Sequence, residues 1–277
     1  MELETLEYEE RGHVAVVRLN RPEQHNSFNT VMQRELRDTW QAIKVNDDVR
    51  AVVLTAAGTK AFCTGIDRSD IPVTEEQFFF DPYTYDDPGK FIGPRSQELW
   101  KPVIAAVNGM ACGGAFYLLG ESDILIASED ASFFDPHVTY GMPAVFEPIL
   151  MMPRMPFGDL LRMTLTGNDE RISAATALRL GLVSEVVPAD ELFDTAFALA
   201  ESIASNPPQA VQASLRTVWA ARGPQPPAAA VARQPVPDQG HDRRGARRGA
   251  GDLHVAGAGS APHALTRSRP SRAQVPD

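Results

Sequence analysis

Cysteine, positive charge and long apolar runs are all scarce in this sequence, and each scarcity closes a class of function. The chain has 2 cysteines, Cys63 and Cys112, in 277 residues. Two thiols build no disulfide framework, and their spacing fits no thiolate metal site, so reduced thiols in a cytoplasmic protein are the simpler expectation. Lys and Arg number 26 against 36 Asp and Glu, a formal charge of −10. That balance gives no global attraction for nucleic acid or an anionic membrane. The most apolar stretch, KPVIAAVNGMACGGAFYLLG (101–120), is broken by Asn108 and four glycines. It reads as strand, loop and helix rather than a membrane span. The opening MELETLEYEERG is acidic and lacks the basic-then-apolar order of a signal peptide. Neither G-x-G-x-x-G nor G-x-x-x-x-G-K-[ST] occurs, so dinucleotide and P-loop readings fail.

What is present is a hydrophobic content of 43%, enough for a sizeable core in one large or two smaller domains. The charge is uneven. Residues 1–221 hold 17 basic and 32 acidic side chains, whereas 222–277 hold 9 arginines and 4 aspartates, with no lysine, glutamate, Phe, Trp or Tyr. A text of Ala, Gly, Pro and Arg without periodicity cannot bury enough apolar surface to offset its ordering entropy. We expect a domain over 1–221 and a disordered tail over 222–277. That tail has the composition of a GC-rich gene read out of frame, so a frameshift near codon 222 is the expectation.

Within 1–221, HVAVVRLNR (13–21), RAVVLTAAG (50–58), KPVIAAVNG (101–109) and DILIAS (123–128) have the β-branched density of buried strands. ASFFDP (131–136) reads as a short fifth strand, and GLVSEVVP (181–188) as a further strand-like segment. Phe28, Val31, Met32, Leu36, Trp40 and Ile43 recur at helical spacing. Helical patterns follow at 146–165, 173–180 and 190–204. Alternating strands and helices predict an α/β fold with a mostly parallel sheet and no internal sequence repeat. The aromatic run FFFDPYTY (78–85) sits in an irregular stretch suited to shaping a pocket or a flap.

Ligands of open α/β sheets bind beyond the carboxyl ends of the strands. Two glycine-bearing loops stand there: CTGID (63–67) and NGMACGGA (108–115). Their backbone amides could converge on one developing oxyanion; the same glycines would also serve tight turns and close helix–strand packing.

Four separated blocks, LNRPEQHNSFN (19–29), KAFCTGID (60–67), VIAAVNGMACGGAFYLLGESDILIAS (103–128) and LTGNDERISAATALRLGLVSEVVP (165–188), together resemble the crotonase, or enoyl-CoA hydratase/isomerase, superfamily. The resemblance implies a spiral of ββα units that assembles as a homotrimer or hexamer. It implies an acyl-CoA thioester whose carbonyl oxygen sits between the amides of Ile66 and Gly114. Lys60, Thr64, Gly65, Asp67 and Gly113 then line the substrate, with Asp67 tying down its loop. No metal or redox cofactor is implied, since coenzyme A is part of the substrate; neither is nucleic acid or a membrane.

The chain departs from the family at the acid/base positions. Where the family carries its two catalytic glutamates, this sequence has Tyr117 and His137. Histidine suits proton transfer at neutral pH, and Asp135, two residues earlier on an extended strand, would share its face and orient it. Glu147 in AVFEP is a further acid/base candidate, and Tyr117 is a hydrogen-bond donor or a wall of the acyl pocket. His137 could instead satisfy a buried carbonyl, and Glu147 could simply favour a helix start. The C-terminal helices of the family pattern break off after AVQASLRTVWAA (210–221). Hydration, isomerisation or a related step on an enoyl-CoA is the leading expectation, and a non-catalytic acyl-CoA binder the alternative.

Overall fold

A computed structural model of the chain describes residues 3–70, 89 and 92–223. The aromatic run at 78–85 and the tail beyond Gly223 lie outside the described residues. In chain order the strands are β1 (Leu6–Arg11), β2 (Val14–Leu19), β3 (Ala51–Ala56), β4 (Ala61–Cys63), β5 (Val103–Val107), β6 (Met110–Cys112), β7 (Ile124–Ser128), β8 (Ser132–Phe134), β9 (Ile172–Ser173) and β10 (Glu185–Val187). The helices are α1 (Thr30–Val45), α2 (Ala115–Glu121), α3 (Phe146–Met151), α4 (Phe157–Thr166), α5 (Ala174–Leu180), α6 (Leu192–Ala204) and α7 (Pro208–Ala220).

One sheet has the order β1-β2-β3-β5-β7-β10 and the other β4-β6-β8-β9. From β2 to β10 the larger sheet is parallel, and only β1 runs against its neighbour. Its inner strands are buried on both faces, which is why they read as unbroken apolar runs. Successive residues still alternate: Ala15, Val17, Val52 and Leu54 face one core, shared with Met32, Leu36, Trp40 and Ile43 of α1. Val14, Val16, Ala51 and Val53 face a second core, closed by Leu192, Ala196, Ala200 and Ala204 of α6. Alanine at every fourth position gives α6 a flat stripe that approaches the sheet closely.

Three successive strand pairs, β3/β4, β5/β6 and β7/β8, each send their first member to the large sheet and their second to the small one. This is a structural repeat without a sequence repeat. It brings the β4 and β6 ends side by side, and so sets the two glycine loops against each other.

Several elements differ from the sequence expectation. β4 and β6 fall inside segments read as loops, because three residues are too few to show a period. β1 has one solvated face carrying Glu7, Glu9 and Arg11, so its composition hides the strand. The helical pattern over 146–165 is two helices: Pro153 and Pro156, lacking backbone N–H groups, fall between α3 and α4.

Candidate active site

The first glycine loop is fixed by residues that follow β2. His25 and Asn26 adopt left-handed backbone angles, φ 52° and 54°, a region asparagine tolerates better than most residues. That turn buries Asn26 completely. Its Oδ1 accepts from the Arg21 amide at 2.9 Å, and its Nδ2 donates to the carbonyls of Ala57 and Ala61, both at 2.9 Å. One side chain thus pins the chain before α1 to the exit of β3 and the entry of β4. Replacing Asn26 by Ala removes the partner of the buried Ala61 carbonyl and of the half-buried Ala57 carbonyl and Arg21 amide, and should lower stability by about 3 kcal/mol, read as a reduced denaturant midpoint.

Phe28 then pairs with Ile66 in an isolated parallel bridge: the Phe28 amide donates to Gly65 O at 2.8 Å, and the Asp67 amide donates to Phe28 O at 2.9 Å. A bridge of this kind consumes the groups either side of Ile66 and turns the Ile66 amide the other way. Asp67 accepts from the Ser69 hydroxyl (2.6 Å), the Ser69 amide (3.0 Å) and Arg21 Nη2 (2.9 Å). The Ser69 hydroxyl first, then Arg21, holds its carboxyl below the ordinary value. Arg21 also donates to Ser27 O at 2.6 Å. Asp67 is therefore a strut of the loop. Thr64 Oγ1 reaches His25 O at 3.4 Å, and Lys60 leaves its side chain exposed while its carbonyl accepts from the Met110 amide at 3.1 Å.

The second loop closes on the first through glycine. Gly65 has φ 84°, and a Cβ there would stand 2.7 Å from the Gly114 nitrogen. A Cβ on Gly114 would meet the Phe28 ring at 2.8 Å and Gly65 Cα at 3.2 Å. Gly114 caps the N-terminus of α2. Among the described residues, neither the Ile66 amide nor the Gly114 amide donates to a protein acceptor. The Tyr117 ring, in the first turn of α2, covers Gly89, where an added Cβ would fall 2.3 Å from it.

His137 flanks this meeting point: a Cβ at Gly113 would lie 3.7 Å from His137 Cε1. The expectation that Asp135 and His137 share a face of one extended strand is corrected here. β8 ends at Phe134, and Pro136 turns the chain (φ −84°, ψ −7°) into a single 3-10 turn, His137–Tyr140. The two meet through that turn. Asp135 Oδ1 accepts from the His137 amide at 3.1 Å and stands 2.5 Å from Nδ1. On the opposite side of the ring, Nε2 lies 3.4 Å from Glu147 Oε1, carried by the first turn of α3. Both carboxylates are buried, and the imidazole is 20% exposed. Burial works against the imidazolium, but the Asp135 hydrogen bond and the charges of Glu147 and Asp135 outweigh it, so His137 titrates above its ordinary value.

The remaining groups are placed elsewhere. Tyr140 is exposed with Arg68 over its ring at 5.4 Å. The Cys63 and Cys112 thiols are pushed up to about 12, chiefly by burial, which leaves them neutral. Among the described residues no three His, Cys, Asp or Glu side chains are grouped to hold a metal ion, and no helix is long and apolar enough to cross a membrane.

The fold therefore assembles Gly65, Ile66, Gly113, Gly114, His137 and Glu147 at one place, with Lys60, Thr64 and Asp67 along the supporting loop. Sequence reasoning missed the clamp made by Arg21 and Asn26. The only trace of it was the density of Asn and Arg in LNRPEQHNSFN.

Comparison with known proteins gives the family of the chain. The enoyl-CoA hydratase/isomerase family model matches residues 9–236. The chain is 41% identical to (E)-benzylidenesuccinyl-CoA hydratase of Thauera aromatica over 204 residues, 73% of this chain and 77% of that protein. It is 37% identical to short-chain-enoyl-CoA hydratase of Clostridium acetobutylicum over 218 residues, 79% and 82% of the two chains. A solved enoyl-CoA hydratase/isomerase from Mycobacterium paratuberculosis superposes with a TM-score of 0.72 at 36% identity, covering 83% of this chain and 86% of its own. With its crotonase-type α/β fold, the chain belongs to the enoyl-CoA hydratase/isomerase family.

Proposed function

We propose that this member of the family hydrates an enoyl-CoA, holding the thioester oxygen with the Ile66 and Gly114 amides and moving protons with His137 and Glu147. The observation that carries the reading is the pair formed by His137 Nε2 and Glu147 Oε1, 3.4 Å apart beside the converging glycine loops. Isomerisation needs one proton carrier. Hydration needs a positioned water and two groups, and here two stand together where Tyr117 and His137 occupy the family's glutamate positions.

The proposed step balances as follows. Glu147 takes a proton from water as its oxygen bonds to the β-carbon. The π electrons move onto the thioester oxygen, an enolate that the two amides stabilise by about 3 kcal/mol each. The imidazolium then gives its Nε2 proton to the α-carbon. Proton return from Glu147 to His137 restores the starting state. The reading requires no metal or redox cofactor, coenzyme A entering as part of the substrate; a cytoplasmic homotrimer or hexamer is proposed with it on the family resemblance, on condition that the C-terminal helices are intact.

Substrate class is tested by incubating the purified protein with crotonyl-CoA, a 3-enoyl-CoA and an aryl-substituted enoyl-CoA, chosen because the Thauera relative is named for a ring-bearing acyl group. A mass gain of one water supports hydration. Double-bond movement without mass change assigns isomerisation instead, and binding with no turnover assigns the acyl-CoA binder. Glu147→Gln keeps the side-chain shape but cannot take a proton, so kcat should fall about 100-fold with little change in KM. An unchanged kcat removes Glu147 from the mechanism.

A further inference from the structure

We infer that Asp135 is a positioning residue that fixes which nitrogen of His137 reacts and keeps the His137–Glu147 pair holding a single proton. The inference rests on the hydratase reading above and adds a third member to its machinery.

The reasoning starts from how little else Asp135 does. Its carboxylate is 1% exposed. Among the described residues, Oδ1 serves His137 alone, through the backbone amide and Nδ1, and Oδ2 is buried with no hydrogen-bond partner. A carboxylate this deep is expensive to keep ionised, and a purely structural one normally spends both oxygens on backbone donors. Here one oxygen goes unspent while the other is committed to an imidazole.

That commitment has a chemical consequence. An ionised carboxylate only accepts hydrogen bonds, so Nδ1 must carry a proton. Nε2 is then the atom left for chemistry, and it faces Glu147. A bare Nε2 lone pair opposite a carboxylate at 3.4 Å is repulsive, whereas a proton on Nε2 makes the contact attractive. Asp135 and Glu147 together therefore favour the imidazolium, which agrees with the direction of the His137 titration.

Other charged groups near the turn do not compete. On α4, Asp159 is half-buried and Arg162 is engaged by Glu170 at 2.7 Å, while Asp169 on the next turn is exposed. Arg171 lies over the Phe134 ring at 4.2 Å, and the Cys112 thiol stays neutral. Among the described residues, the charges that act on the imidazole are those of Asp135 and Glu147.

The test uses full-length protein and Asp135→Asn, which keeps the shape and removes the charge. The Cε1–Hε1 resonance of His137, assigned by its loss in His137→Gln, is titrated in both. In Asp135→Asn its midpoint should fall by about one pH unit or more. The basic limb of kcat/KM should move down by the same amount, and kcat should drop about 10-fold or more with KM within about twofold. Asp135→Glu, which restores the charge, should recover part of the midpoint. An unchanged midpoint and an unchanged pH profile in Asp135→Asn overturn the inference. Should Asp135→Asn fail to fold, the unmodified protein still decides it: a strongly downfield, slowly exchanging Nδ1–H resonance supports the inference, and its absence overturns it. The hydratase reading fails separately, through full turnover in His137→Gln, an outcome that leaves the titration of Asp135→Asn free to report on Asp135.

Discussion

His137→Gln is expected to lower kcat for enoyl-CoA hydration about 1,000-fold, inside the range a positioned proton donor supplies. Glutamine fills a similar volume and can still hydrogen-bond to Asp135, so the pocket should survive while the transferable proton is lost. The effect should fall on kcat, because in the proposed step the imidazole acts on the reacting carbons and not on the coenzyme A portion. The pH profile gives an independent check. An imidazolium proton donor imposes a basic limb on that profile, set by its own titration. Activity should therefore decline as pH rises through the His137 value, which burial alone would depress but which Asp135 and Glu147 hold above 6.5. The same shift has a stability sign. A group whose folded value is raised stabilises the fold fully below its unfolded value and loses that contribution as pH rises through the folded one. Removal of His137 should thus reduce the melting temperature more at pH 6 than at pH 9. Equal kcat values for the variant and the unmodified protein would assign the imidazole a packing role.

The contrast between legible and hidden parts of this protein has a physical origin. β3 and β5 could be read from sequence because burial on both faces demands unbroken apolar runs, AVVLTA and VIAAV. β4 and β6 have three residues each, and their small sheet is held by pairing across long sequence separations, which no local pattern records. Within the site, the glycines of CTGID and NGMACGGA marked two loops, and only the family resemblance singled out Ile66 and Gly114 within them. The hold on those loops was not legible. Asn26 acts by reaching the Ala57 and Ala61 carbonyls, and that requires the left-handed angle at Asn26, a property of the folded turn. Asp135 and His137 were read as a pair for the wrong geometric reason. Two residues apart in a strand share a face; two residues apart across Pro136 meet because the chain turns. The approach of Glu147 to Nε2 joins the first turn of α3 to the turn after β8, a contact between separate elements that no local pattern records.

Gly65→Ala should lower kcat by about 100- to 1,000-fold, comparable to deleting an oxyanion donor outright. The added Cβ would stand 2.7 Å from the Gly114 nitrogen and 3.4 Å from both the Cys112 carbonyl oxygen and Gly114 Cα. All three are backbone atoms, so no side chain can rotate away, and one loop must retreat from the other. The proposed oxyanion site needs the Ile66 and Gly114 amides aimed at one point, so such a retreat misaligns both donors at once. The φ of 84° adds a local cost of about 1–2 kcal/mol for an L side chain. Gly12→Ala separates this cost from catalysis: Gly12 has φ 60° with nothing within 4 Å of an added Cβ, far from the glycine loops at the β1–β2 turn. Gly12→Ala should lose a similar amount of stability and keep its kcat, while Gly65→Ala loses both. If Gly65→Ala retains full turnover, the two amides do not hold the reacting oxygen. If both variants lose turnover in proportion to their melting temperatures, the effect is one of folding. Only a kcat loss confined to Gly65→Ala, with the fold intact by circular dichroism, ties the close approach of the two loops to the chemistry proposed for them.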